Sequence, residues 1–251
     1  MKRLLVLALL LAAPAYAGTA ERLYADGIYD ESIKTALAEN DAAGFATAAR
    51  SELAEEASRD QPCLDCLERA ETYARQAIAA DPKLPDGHIY LAITLGLEGR
   101  IRGALVAKLN GYPGEAKEAL DAALKSDPKN PWALAGLGGW NIEIVNHAGS
   151  VLGKLLYDAS LENGQALFKA AFKAAPDNIS VRYQYALSLA GCDAETYRAE
   201  IVEALKATVN GSVDTAYGHL LQKHAGELLN LLDKDDRSAF NARVRKYEGY
   251  P

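Results

Sequence analysis

The sequence has no surplus of cationic charge and no concentrated set of metal-ligating or nucleophilic residues. Beyond its first seventeen residues it also has no long apolar run. Lys and Arg number 27 against 34 Asp and Glu, a net charge of −7. Such a chain lacks the cationic face that sequence-independent nucleic-acid binding requires. After position 17 no stretch approaches the ~18 apolar residues of a membrane-spanning helix. There are three Cys and four His in the whole chain. No Ser sits in a nucleophile-elbow pattern, and no glycine-rich phosphate loop is present. Leu95-Gly-Leu-Glu-Gly99 lacks the preceding strand that a dinucleotide fingerprint needs. His219 and His224 are five apart, not the four that would put two ligands on one helical face. The acid pairs Glu55-Glu56 and Asp235-Asp236 are adjacent and so point to different faces of a helix. These absences predict no catalytic residue, no metal ligand and no cofactor.

What the chain has is Ala and Leu, 82 of its 251 residues. Both are strong helix formers, whereas an all-β protein would draw on Val, Ile and Thr. With 49% hydrophobic residues the chain is not disordered. The composition predicts an all-α fold.

The first residues, MKRLLVLALLLAAPAYA, carry a separate instruction. Lys2 and Arg3 precede the apolar run Leu4 to Ala13, Pro14 breaks it, and Ala15-Tyr16-Ala17 has the small-x-small form of a signal-peptidase site. The expectation is a signal peptide over 1–17, cleavage after Ala17 and a periplasmic mature protein. Loss of Lys2 and Arg3 leaves 25 basic against 34 acidic residues, a net charge of −9. No integral membrane segment is expected after cleavage. The mature part, 18–251, reads as a single helical domain: a helix pair over 18–60, elongated repeats over 63–191 and capping helices over 194–251.

The repeats show in three segments that end alike, Ala77-Ile-Ala-Ala-Asp-Pro82, Ala123-Leu-Lys-Ser-Asp-Pro128 and Ala171-Phe-Lys-Ala-Ala-Pro176. Each is an amphipathic helix stopped by a proline. Nine residues beyond each proline stand Leu91-Ala92, Leu137-Gly138 and Tyr185-Ala186. Small residues let antiparallel helices approach, and their large neighbours fill the next groove. The proline spacings are 46 and 48 residues. The surplus over a 34-residue repeat falls in Gly96–Pro113 and Ile144–Gly164, read as helix extensions with short connectors. Breaks are expected at Gly111-Tyr-Pro-Gly114, Asn146 to Ser150 and Glu162-Asn-Gly164.

This register resembles the tetratricopeptide repeat, which implies a right-handed α-solenoid of nine to twelve antiparallel helices. The elongated form is most similar to the helical domain of the regulator of microtubule dynamics family. The resemblance is carried by residues 91–140, with Leu137-Gly138-Gly139-Trp140, and by residues 157–178. The T component of tripartite periplasmic transporters is also similar, as an exported tetratricopeptide protein. The motifs specify packing and imply surface recognition.

Candidate sites follow from that register. The first helix of each pair should line a concave face presenting Ile89, Trp132 and Tyr183, the last two as amphipathic anchors for a protein or peptide partner. Arg100 and Arg102, in an acidic chain, are candidate carboxylate contacts; the alternative is a solvated face paired to nearby acids. Cys63-Leu-Asp-Cys66 opens a helix. Haem attachment would need His where Leu67 stands, zinc would need two more ligands, and a thioredoxin-type site would need a βαβ context. A structural disulfide is the expected reading, with a redox dithiol as the alternative. Cys192 reads as a buried free thiol, with pairing to Cys63 or Cys66 as the alternative. The function predicted from these features is a non-catalytic exported scaffold binding a protein or peptide. The alternatives are an accessory partner of a periplasmic solute-binding protein with an apolar ligand pore, and a thiol-redox protein using Cys63 and Cys66.

Overall fold

A computed structural model describes residues 19–251; the expected signal peptide, 1–17, lies outside them. The described residues form thirteen α-helices and no strand: α1 (Thr19–Ala25), α2 (Tyr29–Glu39), α3 (Ala42–Ala57), α4 (Leu64–Ala80), α5 (Pro85–Arg102), α6 (Ala104–Leu109), α7 (Tyr112–Ser126), α8 (Pro131–Tyr157), α9 (Leu161–Ala174), α10 (Ile179–Asp193), α11 (Arg198–Asn210), α12 (Ala216–Asp233) and α13 (Arg237–Tyr247). The all-α expectation holds, and the helices slightly outnumber the nine to twelve expected.

The helix ends are local chemistry. Asp41, Asn130, Ser160, Asn178, Thr215 and Asp236 each accept a hydrogen bond from a backbone N–H in the first turn that follows. Such caps satisfy donors that have no partner within the helix. Pro85, Pro113 and Pro131 occupy first-turn positions, where a missing N–H costs nothing.

The helices pack as successive antiparallel pairs, α3 with α4, α5 with α7, α8 with α9, and α10 with α11. The first helices also touch one another in turn, α3 to α5, α5 to α8, α8 to α10 and α10 to α12. The small residues of the repeat register do the work expected of them. Ala77, Ala123 and Ala171 are fully buried. A Cβ on Gly138 would lie 3.0 Å from the Gly164 carbonyl and 2.8 Å from the Phe168 ring. Glu162-Asn-Gly164 is therefore not a break. It forms the first turn of α9, and Gly164 is there for the close crossing with α8.

The surplus residues of the elongated repeats do not simply lengthen helices. At Gly103 the chain takes φ 87°, ψ 151°, and at Gly149 φ 78°, ψ 161°. Both lie in a region essentially closed to side-chain-bearing residues. Each glycine reverses the chain into a short helix, α6 after α5 and the second part of α8 (150–157).

The last two helices do more than cap. The start of α12 meets the α1–α2 turn, where Ala216 stands beside Gly27. α13 packs on α10, and the residues after it run back towards α5.

Candidate functional site

The stacked first helices α3, α5, α8 and α10 form a face whose centre is occupied by the chain's own C-terminus. Arg100, near the end of α5, donates through Nε and Nη2 to the two carboxylate oxygens of Glu143 on α8, at 2.9 and 2.6 Å. Its Nη1 donates to the Glu248 carbonyl at 3.0 Å. A fork of donors suits a carboxylate and a carbonyl at once. Tyr250 hydrogen-bonds His147 at 2.9 Å and lies under the Arg245 guanidinium, 4.4 Å from the ring centroid. Lys246 reaches Asp60 at 2.9 Å, tying the C-terminus to the α3–α4 connection. Burial, with the Glu143 charge nearby, pushes the Glu248 carboxyl up to about 7, against the pull of Arg100 and Arg245.

Further along the same seam, Tyr183 on α10 is buried and its hydroxyl faces His224 Nδ1 at 3.4 Å. The His224 ring stacks on Tyr247 at 3.7 Å between centroids. Tyr247 donates to the Glu227 carboxylate, which also holds Arg243. Burial drives the His224 pKa down to about 4, even with Glu227 nearby, so its imidazole is neutral at pH 7.

These placements correct the expectation of an open concave face. Tyr183 is an anchor, but for α12 and α13 of the same chain. Ile89 is buried with Ala123 and Ala133 in the joint between consecutive repeats and does not reach the groove. Arg100 and Arg102 already hold carboxylates of this chain. Arg102 donates to Glu68 at 2.5 Å and to the buried Glu98 at 3.3 Å. Trp132 differs from all of these. It is 42% exposed at the start of α8, where Asn130 caps the helix by accepting from the backbone N–H groups of Trp132 and Ala133, so the indole takes no part in the cap.

Cys63 and Cys66 are disulfide-bonded at the start of α4. The Cys63 N–H donates to both oxygens of the Glu56 carboxylate, at 3.0 and 3.1 Å. Burial raises the Glu56 pKa. A carboxylate set against these sulfurs opposes the charge of a thiolate. Cys192 is unpaired and half-buried, and burial followed by Asp193 pushes its thiol pKa up, as suits an inert thiol.

A cleft of about 490 Å³ opens where α10 ends against the α12–α13 turn, lined by Cys192, Arg198, Asp235, Phe240 and Arg245 among others. Its lining mixes charged and apolar side chains. The seam residues His224, Tyr247, Glu248 and Tyr250 had no sequence signal. His224 is on α12, Tyr247 ends α13, and Glu248 and Tyr250 follow that helix; no period or motif links them to Tyr183 or Arg100.

The fold and this seam define a protein of stacked helix pairs whose first-helix face is covered by its own last helices. The chain belongs to the family described as regulator of microtubule dynamics protein 1-3, which matches residues 28–233. No curated protein shows significant similarity to it. Among the described residues no helix is long and apolar enough to cross a membrane.

Proposed function

We propose that this protein is an exported, periplasmic, non-catalytic adaptor of tetratricopeptide type that binds a protein or peptide partner. The observation that carries the reading is Trp132. Its register equivalents in the neighbouring repeats are Asp86 and Ser180, so packing does not call for an indole there. A Trp kept 42% exposed at such a position is an anchor of the kind that dominates interaction surfaces. Because the groove centre is filled by α12 and α13, recognition falls on the edge where the first helices begin. The Cys63–Cys66 bridge serves as a staple for the start of α4, with Glu56 holding its backbone.

Affinity capture from an envelope extract with the chain and with Trp132→Ala tests this. The variant should keep its thermal midpoint and lose most of the captured partner. Equal capture by both would overturn the assignment of Trp132. N-terminal sequencing of the protein from a periplasmic fraction should begin at Gly18; retention of residues 1–17 would overturn the exported reading.

A further inference from the structure

The two reversed helices repeat one another. Gly103-Ala-Leu-Val-Ala-Lys-Leu109 and Gly149-Ser-Val-Leu-Gly-Lys-Leu155 align position by position, 46 residues apart, the same spacing as Pro82 to Pro128. Each starts with a positive-φ glycine. Each turns a small residue inward, Ala107 beside Gly99 and Gly153 beside Ile144 and Val145. Each turns its large apolar residues outward. Leu105, Leu109, Val151 and Leu155 are 72–78% exposed, and Val106, Leu152 and Leu156 are exposed as well. This inverts the usual arrangement of a short surface helix. Such concentrations of exposed apolar side chains mark interaction sites.

The two tips are rooted side by side. Trp140 Nε1 donates to the Pro113 carbonyl, just after α6, at 2.9 Å, and its ring meets Tyr157, the last residue of α8, edge-on at 6.1 Å. They lie at the end of the first helices opposite Trp132, roughly 25 Å away along the seventeen or so residues that separate Trp132 from Gly149.

Charge identifies the occupant. In a chain with 34 acidic residues, 99–114 and 144–157 contain none. Each tip carries one lysine among its leucines, Lys108 and Lys154. Lys108 has no ionic partner among the described residues, and Lys154 pairs with the exposed Asp158 at the tip's base. Two copies of the same face would set lysine against lysine. Exposed apolar side chains with a lysine among them, and no acid within either tip helix, suit a layer of anionic headgroups over acyl chains.

We propose that α6 and residues 150–157 form a two-part foot that docks the domain on the surface of an anionic lipid bilayer. The leucines and valines enter the headgroup boundary, and the lysines remain with the phosphates. Two weak tips on one rigid body bind together more tightly than either alone.

Flotation of the chain beginning at Gly18, with vesicles of phosphatidylethanolamine and phosphatidylglycerol or of phosphatidylcholine alone, tests the proposal. The chain should float with the anionic vesicles and remain behind with phosphatidylcholine. Leu105→Glu with Leu109→Glu should weaken vesicle binding at least about tenfold. Adding Val151→Glu and Leu155→Glu should abolish it, with the thermal midpoint of the protein unchanged. Lys108→Ala should cost about fivefold on anionic vesicles. Failure of the parent chain to float, or equal flotation of the four-site variant, overturns the proposal. So does a dimer that these substitutions dissociate in the absence of any vesicle binding. Trp132→Ala should float as the parent does, which separates this surface from the partner edge.

Discussion

The C-terminal seam and the two tips are opposites in composition and in accessibility. In the seam, Arg100, Glu143, His224, Tyr183 and Tyr247 are polar or amphipathic side chains that are buried or half-buried and given partners. At the tips, leucines and valines are left in water with no partner among the described residues. A buried polar group without its partner loses more than the hydrogen bond was worth. An exposed leucine costs the fold almost nothing to replace. The difference separates residues that hold this structure together from residues that the structure merely presents.

The sharpest test of that separation is Tyr183→Ala. It removes the ring that α12 and α13 pack against, and should cost about 3–5 kcal/mol in urea unfolding. A cost under about 1 kcal/mol would mean that the seam is not fixed. Next, Arg100→Ala takes the guanidinium from Glu143 and leaves Glu248 with Arg245 alone, and should cost about 2–4 kcal/mol. Arg100→Lys should recover part of this, because one ammonium cannot replace the fork.

Reducing the Cys63–Cys66 bridge should matter less. The loop it closes is four residues, for which chain entropy gives about 2 kcal/mol at most. A larger loss of stability on reduction would show that the bridge organises more than the start of α4.

The pH dependence of the seam gives a finer reading. Glu248 has a folded pKa near 7, above the 4.5 of a free carboxyl. Between those values the folded state holds more protons than the unfolded one, so stability falls as pH rises from 4.5 to 7. Glu248→Gln should remove that fall, and its thermal midpoint should gain on the parent's as the buffer moves from pH 5 to pH 8. His224 acts in the opposite direction. Its folded pKa near 4 lies below 6.5, so it weakens the fold as pH drops through that window. His224→Phe should therefore flatten the acid side. A parallel pH response in either variant would place those charges outside the seam.

Smallest of all, the tip substitutions Leu105→Glu and Leu155→Glu should change stability by no more than about 0.5 kcal/mol. A loss comparable to that of Tyr183→Ala would show that the tips are packed in solution and would end the comparison.

Much of the helical framework is legible in the sequence. The helix stops before Pro82, Pro128 and Pro176 and the buried Ala77, Ala123 and Ala171 follow from short-range rules acting within about ten residues. The paired arrangement followed from three copies in one register. Glu162-Asn-Gly164 misled because glycine marks both turns and close helix crossings. The tips were visible as surplus length. Nothing in the apolar pattern, however, said that Gly103 and Gly149 would reverse the chain and leave the leucines facing outward.

Composition and periodicity were enough to make this protein helical, to stop three of its helices at prolines and to mark small residues that lie at helix crossings. Those are matters of propensity, capping and periodicity, and each is settled by neighbours along the chain. The tertiary structure alone decided that the groove is covered by the chain's own C-terminus, so that Tyr183 and Arg100 are interior while Trp132 is not. That outcome depends on pairings such as Arg100 with Glu248 and Asp60 with Lys246, residues 148 and 186 positions apart. No periodicity reaches across that distance; burial and charge decide it once the helices have stacked.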